Sequence, residues 1–93
     1  SMVRTVLCRK YGRELEALDT PPMPGPIGET LYNTVSKAAW NAWLKHQTTL
    51  INEKFLNLRD ASARAYLSEQ MQRFFDNEAV DVAAGYEAPE NSD

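Results

Sequence analysis

The stretch AAWNAWLKHQTTLINEKFLNL, residues 38–58, decides the fold: it carries both tryptophans and the only histidine of the chain, and it contains neither Gly nor Pro. Apolar side chains recur at Trp40, Trp43, Leu44, Leu50, Ile51 and Phe55, with Gln47 in the register between them. Steps of three and four residues place side chains on one face of an α-helix, so the pattern predicts a long amphipathic helix over about 36–56. Two indoles one turn apart bring a large apolar area to a single stripe. The rest of the chain is therefore read by what it can lay over that stripe.

Upstream, Ser36 is placed to cap this helix, because its hydroxyl can accept a hydrogen bond from a free N–H of the first turn. Ile27, Leu31 and Val35 fall at i, i+4 and i+8, and Pro26 suits a first helical turn. A helix over about 26–35 is predicted, meeting the long one at a bend near Val35 and Ser36. Four of residues 21–26 are proline, which makes 20–26 a stiff, extended connector. VRTVLCR, residues 3–9, is short and rich in β-branched residues, as strands are. After it, either Gly12 turns the chain back as a second antiparallel strand, or Tyr11, Leu15 and Leu18 mark a short helix. A lone strand would leave its backbone groups unpaired, so a hairpin over about 3–18 is the better reading. Two strands are marginal alone and must lie on the helices.

Downstream, Asn57 suits a left-handed stop to the long helix, and Asp60 suits the N-terminus of a third over about 60–76. Its apolar face is Ala63, Leu67, Met71 and Phe74, with Phe75 beside it. Beyond Asp76 the periodicity fades, and Glu78, Asp81, Glu87, Glu90 and Asp93 with Gly85 and Pro89 read as a flexible acidic tail over 77–93. The expected architecture is α+β: a single domain over 1–76, with an N-terminal two-stranded antiparallel hairpin packed on a three-helix bundle.

The bulk properties narrow the functions this architecture can serve. A chain of 93 residues supports one modest core and no large enclosed active site. Its 43% apolar and 25% charged residues are the proportions of a globular domain. No apolar run approaches the roughly 18 residues of a membrane span, and no long apolar core follows Arg4 as in a secretion signal. A cytoplasmic protein without a membrane partner is expected, acting as a monomer. Residues 1–75 hold all ten Lys and Arg against seven acids, whereas 76–93 hold six acids and no base. Arg4, Arg9, Lys10 and Arg13 cluster near the N-terminus but lack interleaved stacking aromatics, so they read as a solvated face and not as a nucleic-acid surface.

Cys8, His46 and Glu53 are the residues that could carry chemistry. One cysteine forms no intramolecular disulfide, no CxxC pair and no multi-thiolate metal site within a single chain. The thiol of Cys8 becomes reactive as the thiolate, which Arg4, Arg9, Lys10 or Arg13 would favour if they stood close. Arg9, however, points to the opposite face of a strand from Cys8, and composition alone favours a buried, inert thiol. His46 has Ala42 and Leu50 one turn away, neither a ligand, so a solvent-facing or hydrogen-bonded histidine is expected before a metal ligand. Glu53 offers an oxygen, and Fe(II) accepts mixed carboxylate and imidazole ligation. The plainer reading has Gln47, Thr48 and Asn52 bonding the backbone of whatever covers the helix. No Ser-His-Asp set, phosphate loop or deaminase motif is present.

The run W-x-x-W-x-x-x-Q-T-x-L-I-N-E-x-x-L-N, here Trp40, Trp43, Gln47, Thr48, Leu50, Ile51, Asn52, Glu53, Leu56 and Asn57, closely resembles the YggX family of small bacterial proteins, described as probable Fe(II)-trafficking proteins. The resemblance extends over residues 3–76 through Arg4, Cys8, Pro24-Gly25, Gly28, Ser36-Lys37, Ala39, Arg64, Leu67, Met71, Phe74 and Phe75. Thr49 and Met23 depart from it, where the family commonly has Met and an aromatic. It implies a cytosolic, non-enzymatic protein that handles Fe(II), limits oxidative damage to labile Fe–S clusters and assists their synthesis or repair. The partners implied are Fe–S proteins or their assembly machinery, the iron is weakly held and exchangeable, and no cofactor is tightly bound. A cysteine at the position of Cys8 is associated in the family with protection against oxidants. On this reading Trp40, Trp43, Gln47, Asn52 and Glu53 form a structural motif or a partner surface. Two alternatives remain: a metal-free interaction module docking on Fe–S assembly or client proteins, and, ranked lowest, a thiol peroxidase built on Cys8.

Overall fold

In the computed structural model, residues 3–82 are described, and they form two strands and three helices in the order ββααα. Strand β1 (Thr5–Leu7) pairs antiparallel with β2 (Glu14–Glu16), Val6 opposite Leu15. The hairpin reading is thus borne out over the helical alternative for residues 11–18. Its turn closes through Cys8 N–H to the Arg13 carbonyl at 2.9 Å and Gly12 N–H to the Cys8 carbonyl at 2.7 Å. Gly12 takes φ +68°, a region open to a residue without Cβ. Strand alternation sends Val6 and Cys8 inward and leaves Thr5 and Leu7 exposed. Ala17 then bridges to Ser36, fastening the hairpin to the junction of the first two helices.

Helix α1 (Gly25–Thr34) begins with Pro26 in its first turn, as expected. Gly28 is fixed by contact: a Cβ there would lie 1.7 Å from the Met23 carbonyl oxygen, so the proline-rich connector folds directly onto α1. Helix α2 (Lys37–Glu53) starts at Ser36, whose hydroxyl accepts from the Ala39 N–H at 3.1 Å. Helix α3 (Ala61–Phe75) has Asp60 at its N-cap position, but the cap makes no side-chain hydrogen bond, so its help is limited to the dipole.

Helix α2 ends three residues earlier than the apolar pattern suggests. Phe55, not Asn57, takes the left-handed conformation, at φ 52°, and the Leu56 N–H returns to the Ile51 carbonyl at 3.1 Å. This six-to-one closure is a Schellman stop. Helix α3 ends the same way, with Asn77 at φ 58° and Glu78 N–H on the Arg73 carbonyl. The buried face of α2 also differs from the expected stripe. It consists of Ala39, Trp43, His46 and Leu50, while Leu44 is 38% and Phe55 91% exposed. Ile27 of α1 is likewise exposed, Leu31 and Val35 carrying the burial there.

Cys8, Leu31, Val35, Ala39, Trp43, Met71 and Phe75 form the core, with Leu15, Met23, Trp40 and Phe74 packed at its edge. Trp40 stacks on Phe75 at 6.2 Å between centroids, and Trp43 meets Phe74 at 5.7 Å and Phe75 at 6.4 Å. Such ring pairs add about 0.5–1.5 kcal/mol each beyond area burial. Residues 77–82, assigned to the tail by their charge, run back over α3. There the Asp81 N–H donates to Gln70 Oε1 at 2.8 Å and the Tyr66 hydroxyl donates to the Asp81 carboxylate at 2.6 Å. The rest of the expected tail, 83–93, lies outside the described residues.

Candidate functional site

Cys8 lies at the exit of β1 against the junction of α1 and α2, and it is wholly buried. Burial is the largest influence on its thiol and works to raise the pKa. Four donors oppose it: the Ser36 hydroxyl and the backbone N–H groups of Ser36, Tyr11 and Lys10. They outweigh burial, and the pKa lies below the ordinary thiol value. The cap of α2 and the hairpin turn thus form a nest of donors around one sulfur, which stabilises its thiolate. The arginines proposed from sequence are not the cause. Arg9 turns away to α3, in keeping with strand alternation.

The turn that covers the sulfur is fastened to the C-terminal end of α3. Arg9 donates to Asp76 Oδ1 at 2.8 and 3.0 Å and to Gln72 Oε1 at 2.8 Å. Lys10 Nζ donates to the Phe74 carbonyl at 2.8 Å and to Asn77 Oδ1 at 3.0 Å, while the Asn77 amide donates back to the Lys10 carbonyl. The same ammonium stands 3.9 Å from the Phe74 ring centroid. Its pKa is lowered by burial, an effect that the Cys8 sulfur partly offsets. The thiol thus lies wholly buried beside a turn that is fastened to the end of α3.

His46 belongs to the aromatic group and not to the surface. It is 4% exposed, stacked on Phe74 at 5.4 Å and 18°, and 5.9 Å from Trp43. Burial lowers its pKa and the Lys10 charge adds to this, whereas a hydrogen bond with the Asp81 backbone and the Asp81 carboxylate act in the opposite sense. The expectation of a solvent-facing ring is therefore corrected, and the alternative of a hydrogen-bonded one stands. Glu53 is exposed at the last residue of α2, two helical turns from His46. Among the described residues no group of three or more His, Cys, Asp or Glu is assembled for a metal ion. Gln47 is half-buried and Asn52 exposed. The hydroxyls of Thr48 and Thr49 donate to Leu44 and His46 carbonyls of their own helix, in place of the covering backbone expected for Thr48. Sequence reasoning missed Ser36 and Asn77 as partners of the site; the capping signal at Ser36 was visible, but not that its hydroxyl also faces a thiol.

Fold and site together define a class: a small α+β protein whose single thiol is buried beneath a clamped hairpin turn, among donors that lower its pKa. The sequence profile described as bacterial Fe(2+) trafficking matches residues 2–89. A protein of Marinobacter nauticus named "Probable Fe(2+)-trafficking protein" is 60% identical over 89 residues, covering 96% of this chain and 99% of the relative. Proteins of the same name from Hahella chejuensis and Teredinibacter turnerae are each 59% identical over 85 residues, covering 91% of this chain and 96% and 97% of theirs. The chain belongs to the bacterial Fe(2+)-trafficking family. No helix among the described residues is long and apolar enough to cross a membrane.

Proposed function

We propose that this protein carries Fe(II) transiently in the cytoplasm between uptake and iron-requiring processes such as Fe–S cluster synthesis or repair, protects labile clusters from oxidants, and catalyses no reaction of its own. Family membership supports the iron reading. The observation that carries the mechanism is the donor nest around the buried Cys8 sulfur. A thiolate is a soft ligand that Fe(II) accepts, and one held under a clamp becomes available only as the turn opens. Weak, exchangeable binding follows, with His46 and Glu53 as the secondary ligand candidates. The same thiolate accounts for protection. Its sulfur attacks one oxygen of a hydroperoxide, the O–O bond breaks, water or an alcohol leaves after taking a proton, and Cys8 becomes a sulfenic acid.

Anaerobic calorimetric titration of Fe(II) into the wild type, Cys8→Ser and Glu53→Gln tests this. Saturable binding that weakens in Cys8→Ser is expected. Heat no greater than that of nonspecific carboxylate binding in the wild type would sink the carrier. The second reading, a metal-free module docking on Fe–S assembly or client proteins, is favoured by the exposed Phe55.

A further inference from the structure

The apolar residues of α2 that the core does not use fall on one line. Leu44, Thr48 and Ile51, followed by Phe55, are spaced at i, i+4, i+7 and i+11, on the side of α2 turned from Ala39, Trp43, His46 and Leu50. Leu44 is 38%, Phe55 91% and Leu58 48% exposed. This corner is closed by local hydrogen bonds. The Arg59 N–H bonds Asn57 Oδ1 at 3.0 Å, the Asp60 N–H bonds the Asn57 carbonyl at 2.9 Å, and one Arg64 nitrogen spans the Leu58 and Arg59 carbonyls. Phe55 holds a left-handed φ of 52°, a conformation costly to a residue with a side chain, although its ring gains almost no burial in return.

Cations border the stripe. Lys45 flanks it on one side of the helix and Lys54 on the other, and Arg59 stands beside Leu58. The sole carboxylate of α2, Glu53, falls about half a turn round from Leu44. Two further acids stand near the corner: Asp60, at the positive end of α3, and Asp81, which accepts from the Tyr66 hydroxyl while Lys54 Nζ lies 5.7 Å from the centroid of that ring. An apolar line within a basic rim complements an acidic surface that offers an apolar pocket for an aromatic ring.

We propose that the α2–α3 corner, centred on Phe55 with Leu44, Ile51 and Leu58, is a docking surface for a protein partner that presents an apolar pocket ringed by Asp and Glu. A protein is favoured over an anionic membrane because the chain as a whole carries −3. An extended anionic plane would meet the acidic parts too, whereas a partner's acidic patch can match the corner alone, charges farther off than about a Debye length of 8 Å being screened. A second copy would bring the same basic rim against itself. The surface requires no iron, so failure of the Fe(II) titration leaves it standing.

The test titrates the full, isotope-labelled chain with a synthetic helical peptide whose Leu and Ala face is bordered along both edges by Glu, and with its Lys-for-Glu counterpart, read by amide chemical shifts. The acidic peptide is expected to give saturable shifts at Leu44, Ile51, Phe55 and Leu58 that weaken as salt is raised. Phe55→Asp should lower its affinity at least about tenfold, while Ile27→Ser, an exposed apolar residue of α1, leaves it unchanged. Both sites are surface positions, and thermal unfolding verifies that each variant folds. Equal binding of the Lys peptide, shifts on other faces, or binding that survives Phe55→Asp would overturn the proposal. It would also fall if phosphatidylglycerol vesicles shifted these residues where the peptide did not. Sedimentation as a dimer lost in Phe55→Asp, or corner shifts on removing residues 83–93, would replace the partner with a second copy or with the chain's own C-terminus.

Discussion

Ser36 accepts from the Ala39 N–H and donates to the Cys8 sulfur, so one hydroxyl both starts a helix and polarises a thiol. Ser36→Ala should cost about 1 kcal/mol through the lost cap and raise the Cys8 pKa toward the value that burial alone would give. Urea unfolding measures the first effect, and the pH dependence of Cys8 alkylation the second. A drop in stability with no change in the alkylation profile would show that the hydroxyl is only a cap. His46 yields a second residue-scale prediction. Its folded pKa is depressed below the ordinary value, by burial first and the Lys10 charge next, so the unfolded chain binds the proton more readily. The stabilisation is complete above the unfolded value of about 6.5 and is lost as pH falls through and below it. Unfolding free energy should decline on going down from about pH 7 through that region, and the decline should be absent in His46→Gln. Cys8, His46 and Ser36 were all legible as residues of interest. Their shared surroundings were not, because thiol, cap and clamp lie far apart in sequence and meet only when the hairpin folds against the helices.

At the scale of the element, α2 shows what apolar periodicity resolves and what it misses. The count picked out Trp43 and Leu50 correctly, but it also admitted Leu44, Ile51 and Phe55, which lie on another face, and passed over Ala39 and His46, which are buried. An imidazole kept neutral and stacked on a ring packs like an apolar group, and no hydropathy pattern records that. The stop at Phe55 was hidden for a similar reason, since Asn is the better left-handed residue and Asn57 stands two places on. Phe55→Asn should consequently stabilise the protein by about 0.5–1 kcal/mol, because it relieves the backbone without removing a buried contact. An unchanged or lowered urea midpoint would mean that the ring contributes packing its exposure does not suggest. The clamp between the hairpin turn and α3 makes an opposite prediction. Arg9–Asp76 is a partly exposed pair at 2.8 Å and adds little global stability. Its loss in Asp76→Asn acts locally, so native-state alkylation of Cys8 should speed up several-fold while the urea midpoint scarcely moves.

Across the whole molecule, one aromatic group joins α2 to α3 and shares its core with Cys8 of the hairpin and Leu31 of α1, and that concentration sets how the fold fails. Trp43 is 1% exposed, and its ring touches His46, Phe74 and Phe75, while Phe75 reaches Trp40 and lies 5.7 Å from the Arg9 guanidinium. The α+β architecture could be read from sequence because this stripe demanded covering and only a hairpin and two further helices were available to cover it. A domain of this length has a total stability of roughly 5–14 kcal/mol. Trp43→Ala should remove about 3–5 kcal/mol of that, through lost burial together with a cavity that surrounding rings cannot fill. Because the thiol shares the same core, the two losses are coupled. Cys8 should become freely alkylated in Trp43→Ala under conditions where the wild type is protected, with the rate following the fraction unfolded in urea. Protection that persists after the aromatic core is broken would show that the clamped hairpin holds its sulfur without the helices, and that the molecule is two cooperative units instead of one.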